Sequence, residues 1–203
     1  MLQALVERYE AECKEGRLPR DGWEKRNVSF ALLLSKEGEL LQVLPLIQKV
    51  LRGKKEVDRP QELIVPAGET RTVGIAPFFL CDNSSYFLGA DTKGKPKRTA
   101  ECFAAAKALH EEILGSAASD SARAVIAFFG HWQGGESMVR THPALAPYAD
   151  EILAGANLVF RVDSTFVHEE PAVREAWETH LDASGAEEER RCLVTGTLAP
   201  IAV

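Results

Sequence analysis

Four cations fall within six positions at Lys93-Gly94-Lys95-Pro96-Lys97-Arg98. Glycine lets a backbone approach a phosphate closely, and proline limits the conformational freedom of the loop. Such a segment suits phosphate contact, or entry of a basic side chain into a nucleic-acid groove. The same composition also describes a solvated loop rich in lysine. A second basic stretch runs from Lys49 to Arg59 and includes Lys54 and Lys55. It serves either as another phosphate-contacting segment or as an exposed connection. Contacts of this kind set salt dependence more than specificity. Base reading needs paired donors and acceptors, which Asn83 offers, or a planar cation such as Arg71 followed by Thr72. Each has a structural alternative. Asn83 closes a turn from Asp82 to Ser85, and Arg71 pairs with Glu69.

Catalytic patterns are weaker. The five histidines, His110, His131, His142, His168 and His180, show no metal-binding spacing. His168-Glu169-Glu170 joins imidazole and carboxylates, but acids are expected at the helix start where it lies. His131-Trp132-Gln133-Gly134-Gly135 reads as a packed tryptophan before a helix stop. No nucleophile elbow or phosphate-binding glycine loop is present. Four cysteines, Cys13, Cys81, Cys102 and Cys192, contain no C-x-x-C pair and read as reduced, buried thiols. The expectation is a chain with no catalytic residues, no metal and no cofactor. The competing reading is a divalent-metal nuclease using the scattered acids Asp82, Asp91 and Asp163.

The net charge of −6 hides an asymmetry. From Lys49 to Arg98, ten basic residues stand against six acids, an excess of +4. From Asp150 to Arg191, eleven acids stand against four arginines, a deficit of −7. The first region could face nucleic acid and the second could not. The chain has 203 residues, 45% hydrophobic and 27% charged, which suits a folded domain. No apolar run approaches the roughly 20 residues that span a bilayer, and MLQALVERYE is no signal peptide. The cytoplasm is therefore the expected location.

These residues need elements to position them. Leu2, Leu5, Val6, Tyr9 and Cys13 predict a helix stopped by Gly16. Pro19 to Asn27 reads as a polar loop. Val28–Leu34 and Leu40–Leu46 predict a β-hairpin around Lys36-Glu37-Gly38-Glu39. Lys49 to Pro60 reads as a basic connection, followed by a strand at Glu62–Val65. Apolar runs flank the turn at Asp82-Asn83-Ser84-Ser85. Helices follow, one capped by Thr99 and ending at Gly115, one capped by Asp120, and a short one at Pro147–Leu153. A strand at Ala156–Val162, an acidic helix at Glu169–Ala183 and a strand at Arg191–Thr195 complete the reading. The fold class is α+β. Residues 1–90 are β-rich, and residues 91–203 are mainly helical with some mixed structure. The apolar end LAPIAV suggests the N-terminal domain of a longer protein whose C-terminal part lies beyond Val203.

Several stretches together resemble one family. They are MLQALVERYE, GWEKRNVSFALLL, the long segment RTVGIAPFFLCDNSSYFLGADTKGKPKRTAECFAAAKALHEEIL, and RCLVTG followed by API. They are similar, in order, to the Csd family, the large subunit of the type I-C (Dvulg subtype) CRISPR Cascade complex. The resemblance implies a subunit that reads the protospacer-adjacent motif in double-stranded DNA and aids R-loop formation. It implies three partners: target DNA, the guide RNA ribonucleoprotein near the subunit holding the 5′ handle, and a helicase–nuclease. With it, Lys93, Lys95, Lys97, Arg98, Lys54 and Lys55 become expected backbone contacts. Arg71, Thr72 and Asn83 become expected motif readers. No membrane role is implied.

Overall fold

The computed structural model describes residues 2–15, 18–53, 55–68, 71, 74–184, 189–191 and 198–200. Helix α1 (Leu2–Lys14) forms where the apolar period predicts it. Its stripe faces outward, however, and Leu5 and Tyr9 are exposed. Strand β1 (Trp23–Val28) replaces the expected loop. Trp23 and Val28 at its ends are buried, which the polar residues between them conceal from a periodicity reading. The predicted hairpin forms as β2 (Phe30–Leu34) and β3 (Leu40–Pro45), antiparallel.

The basic connection is also a hairpin. Strands β4 (Ile47–Arg52) and β5 (Lys55–Pro66) pair antiparallel from Ile47–Pro60 to Arg52–Lys55. Gly53 turns the chain at φ +67°, a conformation glycine adopts at no steric cost. Its outer half is exposed on both strands, including Leu51 and Val57, so periodicity gave little sign of pairing there. The inner half of β5 pairs with β1 from Trp23–Pro66 to Val28–Gln61.

Strand β6 (Cys81–Asn83) is followed by helices α2 (Ser84–Phe87), α3 (Pro96–Leu114), α4 (Asp120–His131), α5 (Glu136–Thr141) and α6 (Ala149–Leu153). Helix α3 begins earlier than expected. Proline at its first position suits the unpaired N–H there, and Thr99 is buried inside the first turn, donating to Pro96 O at 3.0 Å. Ser119, not Asp120, caps α4 by accepting the Ala122 N–H. Strand β7 (Asn157–Val162) runs parallel to β2 and antiparallel to β6. The short β8 (Thr165–Phe166) pairs with β7, and helix α7 (Pro171–Ser184) follows. Strands β9 (Glu189–Arg191) and β10 (Leu198–Pro200) pair with each other. Cys192 to Thr195, the rest of the expected last strand, lies outside the described residues.

The molecule is α+β and layered. The central sheet has the order β3-β2-β7-β6. Helix α4 covers one face at β2 and β7. On the other, Ala31, Cys81 and Val159 meet Val28, Leu63 and Val65 of the β1-β5-β4 sheet. Burial on both faces explains why β2 and β7 read as continuous apolar runs. Among the described residues no helix is long and apolar enough to cross a membrane.

The helix side of the core is aromatic and contains one imidazole. Phe79, Phe87, Phe128, Phe129 and Phe160 are buried. Phe87 stacks on Phe160 at 4.6 Å, and His110 tilts against Phe129 at 4.7 Å. His110 Nε2 accepts the Leu80 N–H at 3.0 Å. Nδ1 therefore carries the hydrogen and donates to Ala106 O at 2.7 Å. Leu80 has φ +55°, a strained conformation for a branched side chain. The imidazole thus holds a costly backbone turn just before β6.

Burial pushes the His110 pKa down to about 4. The unfolded chain takes up a proton that the folded one refuses. The stabilisation is therefore complete above the unfolded value near 6.5 and is lost as the pH falls toward 4. His168 is lowered to about 4 in the same direction. Urea unfolding should show stability falling between pH 6.5 and 4, with His110 contributing on the order of 3 kcal/mol. His110→Gln should flatten that dependence. An unchanged pH slope in the variant would remove His110 as its source.

Candidate nucleic-acid interface

The polypeptide from Arg71 to Arg98 folds back on itself around one carboxylate. Asp82, on β6, is 1% exposed. Its oxygens accept the Phe78 N–H at 2.8 Å and the Asn83 N–H at 2.7 Å. They also accept both terminal nitrogens of Arg71 in a two-pronged ion pair. Burial pushes the carboxyl up from its ordinary range, while Arg71 and the two backbone donors oppose that shift. All four partners are donors, the arrangement that suits the ionised form.

Arg71 is equally occupied. Its Nε donates to Ala76 O at 2.5 Å, and its guanidinium lies over the rings of Phe78 at 3.6 Å and Tyr86 at 4.0 Å. The structure therefore places Arg71 as a strut bound to Asp82. Thr72, and Glu69 as a possible partner of Arg71, lie outside the described residues.

Asn83 caps α2, with Oδ1 accepting the Ser85 N–H at 3.0 Å. The turn-closing role is thus real, and it engages only the acceptor. The Nδ2 donor makes no hydrogen bond to a described residue. Ser85 Oγ donates to Asp91 Oδ2 at 3.0 Å, while Asp91 Oδ1 accepts the Lys93 N–H at 2.8 Å. Asp91 so ties the cationic loop to the α2 cap. Gly94, at φ +66°, turns that loop into α3.

These connections build a cleft of about 550 Å³. Asn83 and Ser85 line it beside Tyr86 and Arg71, and Lys93, Lys95 and Arg98 line it from the loop and the first turn of α3. Lys93, Lys95 and Arg98 are exposed, and none of them forms an ion pair with a described residue. Arg98 donates to Gly74 O at 2.9 Å, closing the rim. Lys97 is exposed but does not line the cleft. The structure thus brings together five of the residues singled out from sequence: Arg71, Asn83, Lys93, Lys95 and Arg98.

It does not bring Lys55 there. Lys55 begins β5 at the tip of the β4–β5 hairpin, in the other sheet, and Lys54 lies outside the described residues. Sequence reasoning missed Ser85, Tyr86, Asp91 and Thr99 as lining residues. The polar turn Asp82–Ser85 was the available signal for the first.

A second cavity, of about 380 Å³, shares Asp91, Lys95 and Thr99 with the first and reaches Phe103, Gln133 and Gly135. Trp132 packs beside it, donating Nε1–H to Leu88 O at 3.1 Å. The glycines behind Trp132 are therefore a tight packing turn. Gly135 N–H also donates to Leu88 O.

The acids proposed for a nuclease have other duties. Asp82 is buried in its ion pair, Asp91 anchors the loop, and Asp163 occupies the exposed β7–β8 turn at φ +52°. Among the described residues, no three His, Cys, Asp or Glu side chains stand where they could hold a metal ion. Cys81 and Cys102 are free and buried, and Cys13 is free and half-buried. Burial pushes the Cys81 thiol up to about 12, which makes it unreactive. Cys192 lies outside the described residues.

Compared with curated proteins, the chain has no match. A family model described as CRISPR-associated protein (Cas_Csd1) matches residues 5–203. That match spans the β6–α2 turn, the cationic loop and every sheet that positions them, so the chain belongs to the Cas_Csd1 family of CRISPR-associated proteins.

Proposed function

We propose that this chain is a non-catalytic DNA-recognition subunit of a Cascade surveillance complex, with the Asn83–Lys95–Arg98 cleft meeting the protospacer-adjacent duplex. One observation carries the reading: cations with no ion-pair partner among the described residues line the same cleft as an unused amide donor.

Electrostatics support it. Helix α3 has 19 residues, and its first turn has no acid. Lys95, Lys97 and Arg98 instead crowd its positive end, where cations are unfavourable. A phosphate in the cleft would relieve that repulsion and accept from the side chains around it. Asn83 offers a donor only, because its acceptor caps α2. The acceptors of the minor groove, adenine N3 and thymine O2, match a lone donor. Arg71 holds the wall through Asp82 and is assigned a positioning role.

In this proposal the guide RNA ribonucleoprotein supplies most of the affinity, and the subunit holding the 5′ handle is the neighbour. R-loop formation and recruitment of the helicase–nuclease follow motif recognition. A chain of net charge −6 needs such help to hold a duplex.

Binding by the assembled complex, measured on motif-bearing and motif-scrambled duplexes across a salt series with magnesium present, tests these assignments. The DNA should be retained intact. Magnesium-dependent cutting that disappears in Asp91→Ala or Asp163→Ala would overturn the non-catalytic reading.

Changing Lys93, Lys95 and Arg98 to Ala should weaken both duplexes alike and flatten the salt slope by about 0.9 for each phosphate no longer neutralised. Asn83→Ser keeps a capping oxygen but is too short to reach a base. It should preserve stability and cut the preference for the motif by roughly 1–3 kcal/mol. An unchanged ratio between the two duplexes would dismiss Asn83 as a reader.

Arg71→Ala leaves Asp82 buried and uncompensated, so it should destabilise the fold by about 3–5 kcal/mol. Urea denaturation checks this. A variant as stable as the parent would show that Arg71 is no strut.

A further inference from the structure

The outer half of the β4–β5 hairpin is a two-stranded ribbon, and its register sorts its residues onto two sides. Residues opposite each other in an antiparallel pair share a side, and successive residues alternate. One side takes Ile47 with Pro60, Lys49 with Asp58, and Leu51 with Glu56. Its single cation, Lys49, lies 3.7 Å from Glu56. The other side takes Gln48 with Arg59, Val50 with Val57, and Arg52 with Lys55. It has three cations and no acid. Ile47 and Leu51 are exposed on the first side, and Lys55, Val57 and Arg59 on the second.

This segregation runs against the stability of the ribbon itself. Opposite charges facing each other across two strands are stabilising, and like charges directly opposite are destabilising. Glu56 and Asp58 alternate with Lys55, Val57 and Arg59 along β5, yet the register sets Arg52 opposite Lys55 and gives Arg59 an uncharged partner. Lys55 and Arg59 form no ion pair with a described residue. Glu151 shares a small cavity with Arg59 at the root of the ribbon without pairing with it. The uncharged partner, Gln48, is turned across the strands and donates to Pro60 O at 3.2 Å. A side with cations alone, two of them opposed, is complemented by an external anion.

The shape selects the anion. Lys55 and Arg59 are four residues apart on one strand, roughly 13 Å along it. The major groove of B-form DNA is roughly 12 Å wide, and it admits a two-stranded ribbon. The major groove of A-form RNA is too narrow for side chains to read. Between the two cations lie Val57 and its partner Val50, apolar side chains of the kind that meet thymine methyl groups in the major groove.

We infer that the cationic side of the ribbon docks across the major groove of duplex DNA, with Lys55 and Arg59 on the phosphates of its two banks and Val50 and Val57 over the base edges between them. Such a contact rests on the DNA-recognition reading of the cleft and adds a second surface to it, with no residue in common.

The test is binding by the assembled complex to motif-bearing and motif-scrambled duplexes. Changing Arg52, Lys55 and Arg59 together to Gln should weaken both duplexes alike, about tenfold, and flatten the salt slope. Lys49→Gln, on the other side of the ribbon, should bind as the parent does. Glucosylated hydroxymethylcytosine beside the motif fills the major groove and leaves the minor groove and the backbone unchanged. It should weaken the parent to the level of the triple variant and leave that variant unaffected. A photoreactive amino acid in place of Lys55 should crosslink to the target duplex. A triple variant that binds as the parent does would overturn the ribbon contact. So would parent binding indifferent to the groove modification, or crosslinks confined to guide RNA or to another protein subunit. In each of those cases a parent complex that still prefers the motif leaves the cleft reading standing, whereas a parent with no preference removes that reading as well.

Discussion

The buried carboxylate of Asp82 joins parts of the chain that have no other reason to meet. Its four hydrogen bonds reach back to Arg71 and Phe78 and forward to Asn83. An ion pair this buried adds little net stability against an apolar replacement, because both charges must leave water. Its effect is on position. Two parallel N–H···O bonds set the plane of Arg71, and the rings of Phe78 and Tyr86 close over the faces that remain. The loop before β6 is thereby locked onto the sheet edge, and the wall of the cleft has one orientation.

His110 acts from the other side. It lies on α3, the helix whose first turn carries Arg98 of the cleft, and it bonds the backbone of Leu80, two residues before Asp82. Helix and wall are therefore tied through the aromatic core. The left-handed turn at Leu80 persists because the imidazole and the packing around it offset its strain. Asp91 adds a lighter tie on the solvent side, between the α2 cap and the cationic loop. The cleft is held at its base by buried groups, and at its rim Arg98 bonds Gly74 O while Lys93 and Lys95 form no ion pair with a described residue.

The β4–β5 hairpin follows a different logic. Its inner half is sealed by β1, while its outer half projects with Leu51 and Val57 exposed beside Lys49, Lys55 and Arg59. Its charges therefore belong to a separate surface from the cleft, although the two basic regions follow one another in the chain.

Much of the fold was legible in the residues alone. The continuous apolar runs of β2, β3 and β7, the period of α1, α3 and α4, and the turn at Asp82–Ser85 follow from local rules of periodicity and capping. Residue type also singled out Asn83, Lys93, Lys95 and Arg98, which the fold places along one cleft. Strand β1 and the outer hairpin were missed, because their pairing is made by partners distant in sequence and their side chains alternate poorly. The tertiary structure alone decided that Arg71 faces Asp82 rather than solvent or Glu69, that the Asn83 acceptor is engaged while its donor is not, and that Lys55 and Lys95 stand on different surfaces. Residue type limits what a side chain can bond. Which bonds it makes depends on the groups that folding brings within about 3 Å of it, and that is a property of the whole chain.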